Sequence, residues 1–319
     1  MSAIVDIIVP VFGMVLVGWL IGRSKLLSAE GLRGFTAVTF YALFPALLFR
    51  SMAKVRIETL EPAILAAFFG GVLLLYAAML LLGRLQGLRL GDRAMFALSG
   101  TFSNGVGIGI PFITYAFGEN GLVPLLMIIS VHSVILLTLS CFLMEMDGRP
   151  GESGGRLAAR LGRAAFSMLK HPVIPVIFAG LLWGEITTHT GLATPAVIDR
   201  ILAALAAAAP PCGLIMVGAS LAHVGLKGHW QPAAVAAAFK LAVLPVLVWL
   251  IGRYVFPLDP LWLMVATLNA ALPAGANVYL IAQMYNVGVG RATNAVVIST
   301  AASVFTLSIA LLLLGVQTR

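Results

Sequence analysis

The sequence predicts an all-α polytopic membrane protein. Ten spans form two sets of five, inverted relative to each other, with the fourth and ninth spans broken and crossing. Three observations lead there. Of 319 residues, 61% are hydrophobic and only 10% charged, against about 25% charged in a soluble domain, and the mean hydropathy is +1.04. Ten apolar windows are bounded by charge or turn residues. Two of them, in corresponding positions of the two sets, carry an Asn with Pro and Gly near the middle of a charge-free stretch.

In chain order the expected spans are 4–22, 33–50, 61–83, 93–118, 121–144, 171–188, 196–222, 231–252, 260–286 and 292–315. The first opens as MSAIVDIIVPVFGMVLVGWLIGR. It has no Lys or Arg before its apolar run and no small-residue cleavage site, so it reads as a span rather than a signal peptide. Span four is free of charge from Ala94 to Gly118, yet holds FSNGVGIGIP at its centre. Asn, Gly and Pro are among the poorest residues for a helix interior. The longest polar connection, Glu145 to Arg163, follows span five and divides the chain into 1–145, a connecting loop 146–170, and 171–319. Span nine holds Asn269, Pro273, Gly275 and Asn277, with no charge between Asp259 and Arg291.

Thirteen of the 20 Lys and Arg lie in the loops after odd-numbered spans. Six lie at the C-terminus and in the opposite loops, and Lys240 lies inside span eight. The positive-inside rule makes the thirteen-residue side cytoplasmic. Both termini then face outward, periplasmic for a bacterial inner membrane. The loop with Arg50, Lys54 and Arg56 runs against the trend. With five spans per half, structural repeats must be inverted.

A broken helix in lipid leaves backbone groups unsatisfied unless they are buried in protein or line a polar cavity. Two such breaks from inverted halves bring helix ends and freed amides together near the midplane. Helix N-termini suit a carboxylate. Asn104 and Asn269 or Asn277 add neutral donors and acceptors without the cost of a buried ion, so the breaks read as a binding site for a small anion. A kink is the rival reading for either break alone; the pairing favours a site.

The string SNGVGIGIPFITYAFGENG resembles the signature region of the auxin efflux carrier family, and ALPAGANVYLIAQMYNVG resembles its second signature. The resemblance spans essentially the whole chain and points to a bacterial member, a group that includes malate and malonate permeases. It implies the bile-acid-symporter-like fold. Spans one, two, six and seven would form a scaffold and a homodimer contact; spans three to five and eight to ten would form a moving transport domain. Carried over by motif, Asn104 and Pro111 fall on the first crossover, and Pro273 and Asn277 on the second; Gly107, within the first break, is a further candidate for the site.

Other polar residues extend the candidate site. Lys240 in AAVAAAFKLAVLPVLVW sits near mid-span, where an ion is a functional hypothesis by default. It either balances a bound carboxylate or couples to protons, or it contacts a backbone carbonyl or water. His132 reads as a satisfied core histidine or a ligand. Tyr279 and Gln283 follow Asn277 at helical spacing, and Tyr115 follows Pro111 by four. Each could line the cavity or simply pack.

The composite expectation is a secondary transporter for small organic anions such as carboxylates, working by alternating access, without cofactor, metal or nucleic acid. Its alternative is a sodium- or proton-coupled symporter of the bile acid type. Sodium sites usually include a carboxylate, and none lies in span four or nine. Enzyme chemistry is disfavoured. Intramembrane aspartyl catalysis needs facing Asp pairs, and Asp6, Asp92, Asp199 and Asp259 are peripheral. No nucleotide-binding GxxxxGK[ST] loop occurs, and Cys141 and Cys212 have no metal-ligand spacing.

Overall fold

A computed structural model describes residues 4–24, 26–56, 58, 60–147, 173–222 and 230–316. The described residues are mostly helical, without named strands. In chain order the helices are α1 (Val9–Arg23, entered through a π-turn at Ile4–Ile8), α2 (Glu30–Met52), α3 (Ala63–Leu85), α4 (Leu90–Thr101), α5 (Gly105–Phe117), α6 (Glu119–Met146), α7 (Val173–Thr190), α8 (Ala196–Ala222), α9 (Trp230–Val255), α10 (Pro260–Ala271), α11 (Asn277–Tyr285) and α12 (Val289–Leu313).

Seven of them are long and apolar enough to cross a membrane: α1, α2, α3, α6, α8, α9 and α12. The windows expected for spans four and nine are each divided, into α4 with α5 and α10 with α11. The span expected at 171–188 is the 18-residue α7, which is outside the seven. Most of the polar connection after span five, from residue 148 to 172, lies outside the described residues.

Local chemistry sets the ends. Ser28 caps α2 by accepting the Gly31 amide at 3.0 Å, and Asp259 caps α10 by accepting that of Leu261 at 2.9 Å. Gly118 joins α5 to α6 with φ +64°, a conformation costly for any residue with a Cβ.

Hydrocarbon solvent gives apolar helices no reason to associate, so close approach of small residues must do it. α1 and α8 show the pattern: a Cβ on Gly18 would fall 2.1 Å from the Ile215 carbonyl oxygen, and one on Gly218 1.9 Å from that of Val15. Gly180 and Gly184 of α7 likewise admit the backbone of Phe49 and Ala53 at the end of α2. Helices α1, α2, α7 and α8 therefore pack on one another, while α3, α4, α6, α9, α10 and α12 pack mainly among themselves. One buried cluster centres on Phe68, Tyr76, Leu98, Leu136 and Leu244, the other on Phe44, Leu48, Phe112, Leu126 and Leu214. Leu313, Phe305 and Phe178 face outward, as a lipid-facing surface requires.

Ion pairs tie helix ends together. Arg89 pairs with Asp147 at 3.5 Å, and Arg291 with Asp92. Elsewhere Arg50 binds Asp199 through both carboxylate oxygens at 2.9 and 3.2 Å, and Lys54 binds Glu119 at 2.6 Å.

Candidate functional site: two helix breaks bonded to each other

After Thr101 the chain leaves the helix at Phe102, which is extended, and re-enters at Gly105. After Ala271 it does the same at Leu272 and re-enters at Asn277. Each break frees backbone groups that lipid cannot satisfy. They satisfy each other. The Asn104 amide donates to the Pro273 carbonyl at 2.9 Å, and the Gly275 amide donates to the Phe102 carbonyl at 3.1 Å. Ser103 and Ala274 thus face one another as an isolated antiparallel pair.

Side chains take up the groups this pair leaves over. The Ser103 amide donates to His132 Nε2 of α6 over a long 3.5 Å. Accepting there requires neutral imidazole with its proton on Nδ1. His132 is buried, with the Phe102 ring centroid 4.5 Å from its own and Phe68 and Phe69 beyond. The Ala274 amide donates to Ser299 Oγ of α12 at 3.0 Å. Lys240 Nζ, with no exposed surface, donates to the carbonyls of Ala270 and of Leu272, the latter at 2.6 Å. Asn104 caps α5 with its side chain, Oδ1 accepting the Gly107 amide at 3.1 Å.

The three glycines of GVGIG are explained by what lies against them. A Cβ on Gly105 would come within 3.2 Å of Asn269 Oδ1. One on Gly107 would sit 2.7 Å from Asn104 Oδ1 and 3.0 Å from Val217 of α8, and one on Gly109 2.6 Å from Leu272 Cδ1. The bare face lets the end of α10 and the flank of α8 approach the break. Asn269 is 1% exposed. Among the described residues, its Oδ1, the Ser103 hydroxyl and the Thr267 hydroxyl have no hydrogen-bond partner, which is costly for buried polar atoms.

Of the residues expected at the site, Asn104, Gly107, Asn269 and Pro273 converge at the paired breaks, with Lys240 behind them. Pro111 is buried in the first regular turn of α5. Asn277 opens α11, half-buried. Tyr115 is 40% exposed, and Gln283 is exposed and donates to the Tyr279 hydroxyl at 2.5 Å, so neither joins the backbone pair. Ser103, Ser299 and Val217 were not anticipated. An ordinary Ser in ISTAAS and a Val in an apolar helix give no sequence signal, since their roles come only from what packs opposite. An opening of about 290 Å³ lies away from the breaks, between α2, α7 and α8, lined by Arg50, Trp183 and Asp199 among others.

Long apolar helices around a pair of mutually bonded breaks define a multi-pass membrane protein with irregular backbone held in its interior, the construction of a transporter. The profile of a family described as "Membrane transport protein" matches residues 3–159 and 161–311. The chain belongs to this auxin-efflux-carrier-like family and is a transporter, not an enzyme. It is 27% identical over 311 residues to a protein of Rhizobium meliloti (strain 1021) described as a "Putative malonate transporter", covering 97% of this chain and 95% of that one.

Proposed function

We propose that the protein is a secondary transporter that carries small carboxylates across the bacterial inner membrane by alternating access, with substrate bound where the two breaks meet. The observation that carries this reading is the reciprocal bonding of Phe102–Asn104 to Pro273–Gly275. It puts the N-terminal ends of α5 and α11, with their partial positive charge, beside the half-buried Asn104 and Asn277. Gly107 and Pro111 shape the first wall, and Asn269 and Pro273 the second. Tyr115 and Gln283 belong to the approach, which an inward or outward opening exposes. The relative's description favours a short dicarboxylate such as malonate as the first substrate to try.

The pairing also supports an inverted repeat of ten helical spans. Ala274 lies 171 residues after Ser103. The first residues of α4 and α10, Leu90 and Pro260, are 170 apart, as are Glu119 and Val289 at the starts of α6 and α12. A two-fold axis through the pair in the membrane plane would relate the halves and make the broken spans cross. Ion pairs join helix ends that this topology sets on one side: Arg89 to Asp147 and Asp92 to Arg291 on the cytoplasmic side, Arg50 to Asp199 and Lys54 to Glu119 on the periplasmic side with both termini. Helices α1, α2, α7 and α8 would be the scaffold, open to homodimer contact, and the other eight the transport domain. Val217 of α8 on Gly107 is where the two would slide or rock.

The test is purified protein in proteoliposomes on a solid-supported membrane, perfused with malonate, malate and indole acetate, beside Asn104→Ala and Asn277→Ala. A substrate-dependent current lost in both variants is the expected result. A current that survives both moves the site away from the breaks. Radiolabelled uptake covers an electroneutral cycle.

A further inference from the structure

The last turn of α10 ends on carbonyls that no later helical amide can reach, and a helix C-terminus carries partial negative charge. In water such groups are hydrated. Here Ala270, Leu272 and Asn269 are buried. Two of the carbonyls freed there, those of Ala270 and Leu272, accept from Lys240 Nζ. This lysine stands in a π-turn of α9, Phe239–Val243, a local widening that is frequent where a helix serves function. The last turn of α10 also holds Asn269, and the opposed break holds Ser103; Asn269 Oδ1 and the Ser103 hydroxyl are both buried and, among the described residues, without a hydrogen-bond partner. Backbone carbonyls alone can hold an alkali cation, as in potassium-selective filters.

We infer that Lys240 is a tethered cation: its ammonium permanently fills the place at the α10 end that a dissociable Na⁺ or K⁺ would otherwise take, so the second break holds its shape without a coupling alkali ion. The inference rests on the transporter reading and deepens it. Lys240 is then a positioning residue. It acts on substrate only through the backbone of Ala270 and Leu272, and the carrier runs independently of sodium. The first break is held differently: the side chain that reaches its backbone from a neighbouring helix is His132, as an acceptor.

Thermal unfolding of the purified protein in sodium, potassium, methylammonium and choline chloride tests this without any substrate, so it stands or falls apart from the transport reading. Wild type should unfold at one temperature in all four salts. Lys240→Ala should unfold several degrees lower in choline and recover part of the loss in sodium or methylammonium, which fit the vacated place. In proteoliposomes, wild-type transport should be equal in sodium and choline. The Ala variant should fall at least tenfold in choline and regain part of its rate with the rescuing ion. Lys240→Met, which fills the space without the charge, should be depressed in every salt and not rescued; it also serves if the Ala variant does not fold. Wild-type stability or transport that rises severalfold on adding sodium overturns the inference. So does a Lys240→Met protein that matches wild type in choline, or an Ala variant that folds, is impaired, and responds to no cation.

Discussion

The two breaks share a backbone and differ in almost every side chain. Each contributes one amide and one carbonyl to the same antiparallel pair. Around Phe102–Asn104 the remaining groups are met by a neutral imidazole, a ring of phenylalanines and the half-buried cap Asn104. Around Pro273–Gly275 they are met by the buried Lys240 amine and a serine hydroxyl, and all three residues are buried. What the two breaks must share is the satisfaction of the backbone, because lipid enforces it on each. Side chains are free to diverge. On the proposed reading the first break would present polar atoms to a ligand, and the second would supply rigidity.

The sharpest way to break that comparison is to fill the bare face of α5. Gly107→Val puts carbon on the Asn104 cap and against Val217 at once, and one neighbour is a short capping side chain with nowhere to go. Overpacking of this kind costs about 1–3 kcal/mol, and on the proposed mechanism it would also wedge the surface across which scaffold and transport domain move. Transport should fall by two orders of magnitude or below detection, with monodisperse protein on size exclusion. Near-normal uptake would mean that α5 is not the moving contact.

Asn104→Ala comes next. It loses the cap, on the order of 1 kcal/mol, and removes the most accessible polar side chain of the pair. The expected signature is a KM raised about tenfold or more, the scale of one hydrogen bond to a charged group, with Asn104→Ser recovering stability but not affinity. An equal KM effect from Asn269→Ala would show that the second break also reads substrate.

Stability alone separates the two amide acceptors. His132→Leu orphans the Ser103 amide and Ser299→Ala the Ala274 amide, each a buried donor worth about 1–3 kcal/mol. The Ser299 bond is 0.5 Å shorter, at 3.0 against 3.5 Å, so its loss should lower the unfolding temperature more, even though histidine is the larger residue. The opposite order would make the aromatic packing of His132, rather than its acceptor nitrogen, its main contribution.

Much of this was legible in the sequence where a physical rule is local. Charge-free windows fixed where helices lie, and Asn-Gly-Pro clusters fixed where two of them stop. The family followed from the same two strings. What was hidden is pairwise. Lys240 could be seen as an ion in an apolar helix, but the choice between anion partner and carbonyl contact depended on Ala270 and Leu272, thirty residues away. The spacing of Asn104 to Pro111 and of Pro273 to Asn277 suggested no common register; on the proposed repeat, the backbone pair of Ser103 with Ala274 would supply one, matching Asn104 to Gly275 rather than to Asn277. Ser299 and Val217 matter only through their neighbours and leave no trace in composition.

The smallest effect is expected on the surface of α11. Gln283 is exposed and spends its amide on Tyr279, four residues back on the same helix face. An i,i+4 pair of this sort is worth about 0.2–0.5 kcal/mol. If Gln283 merely packs there, Gln283→Ala should leave unfolding and transport within error of wild type. If it lines the approach, the same substitution should change KM for carboxylates of different length unequally while leaving stability untouched, since longer substrates reach further from the paired breaks. Measuring KM for malonate and for one longer dicarboxylate in this single variant therefore shows how far the site extends beyond the backbone pair. It would also show whether the second half, rigid at its break, contributes specificity one turn further out.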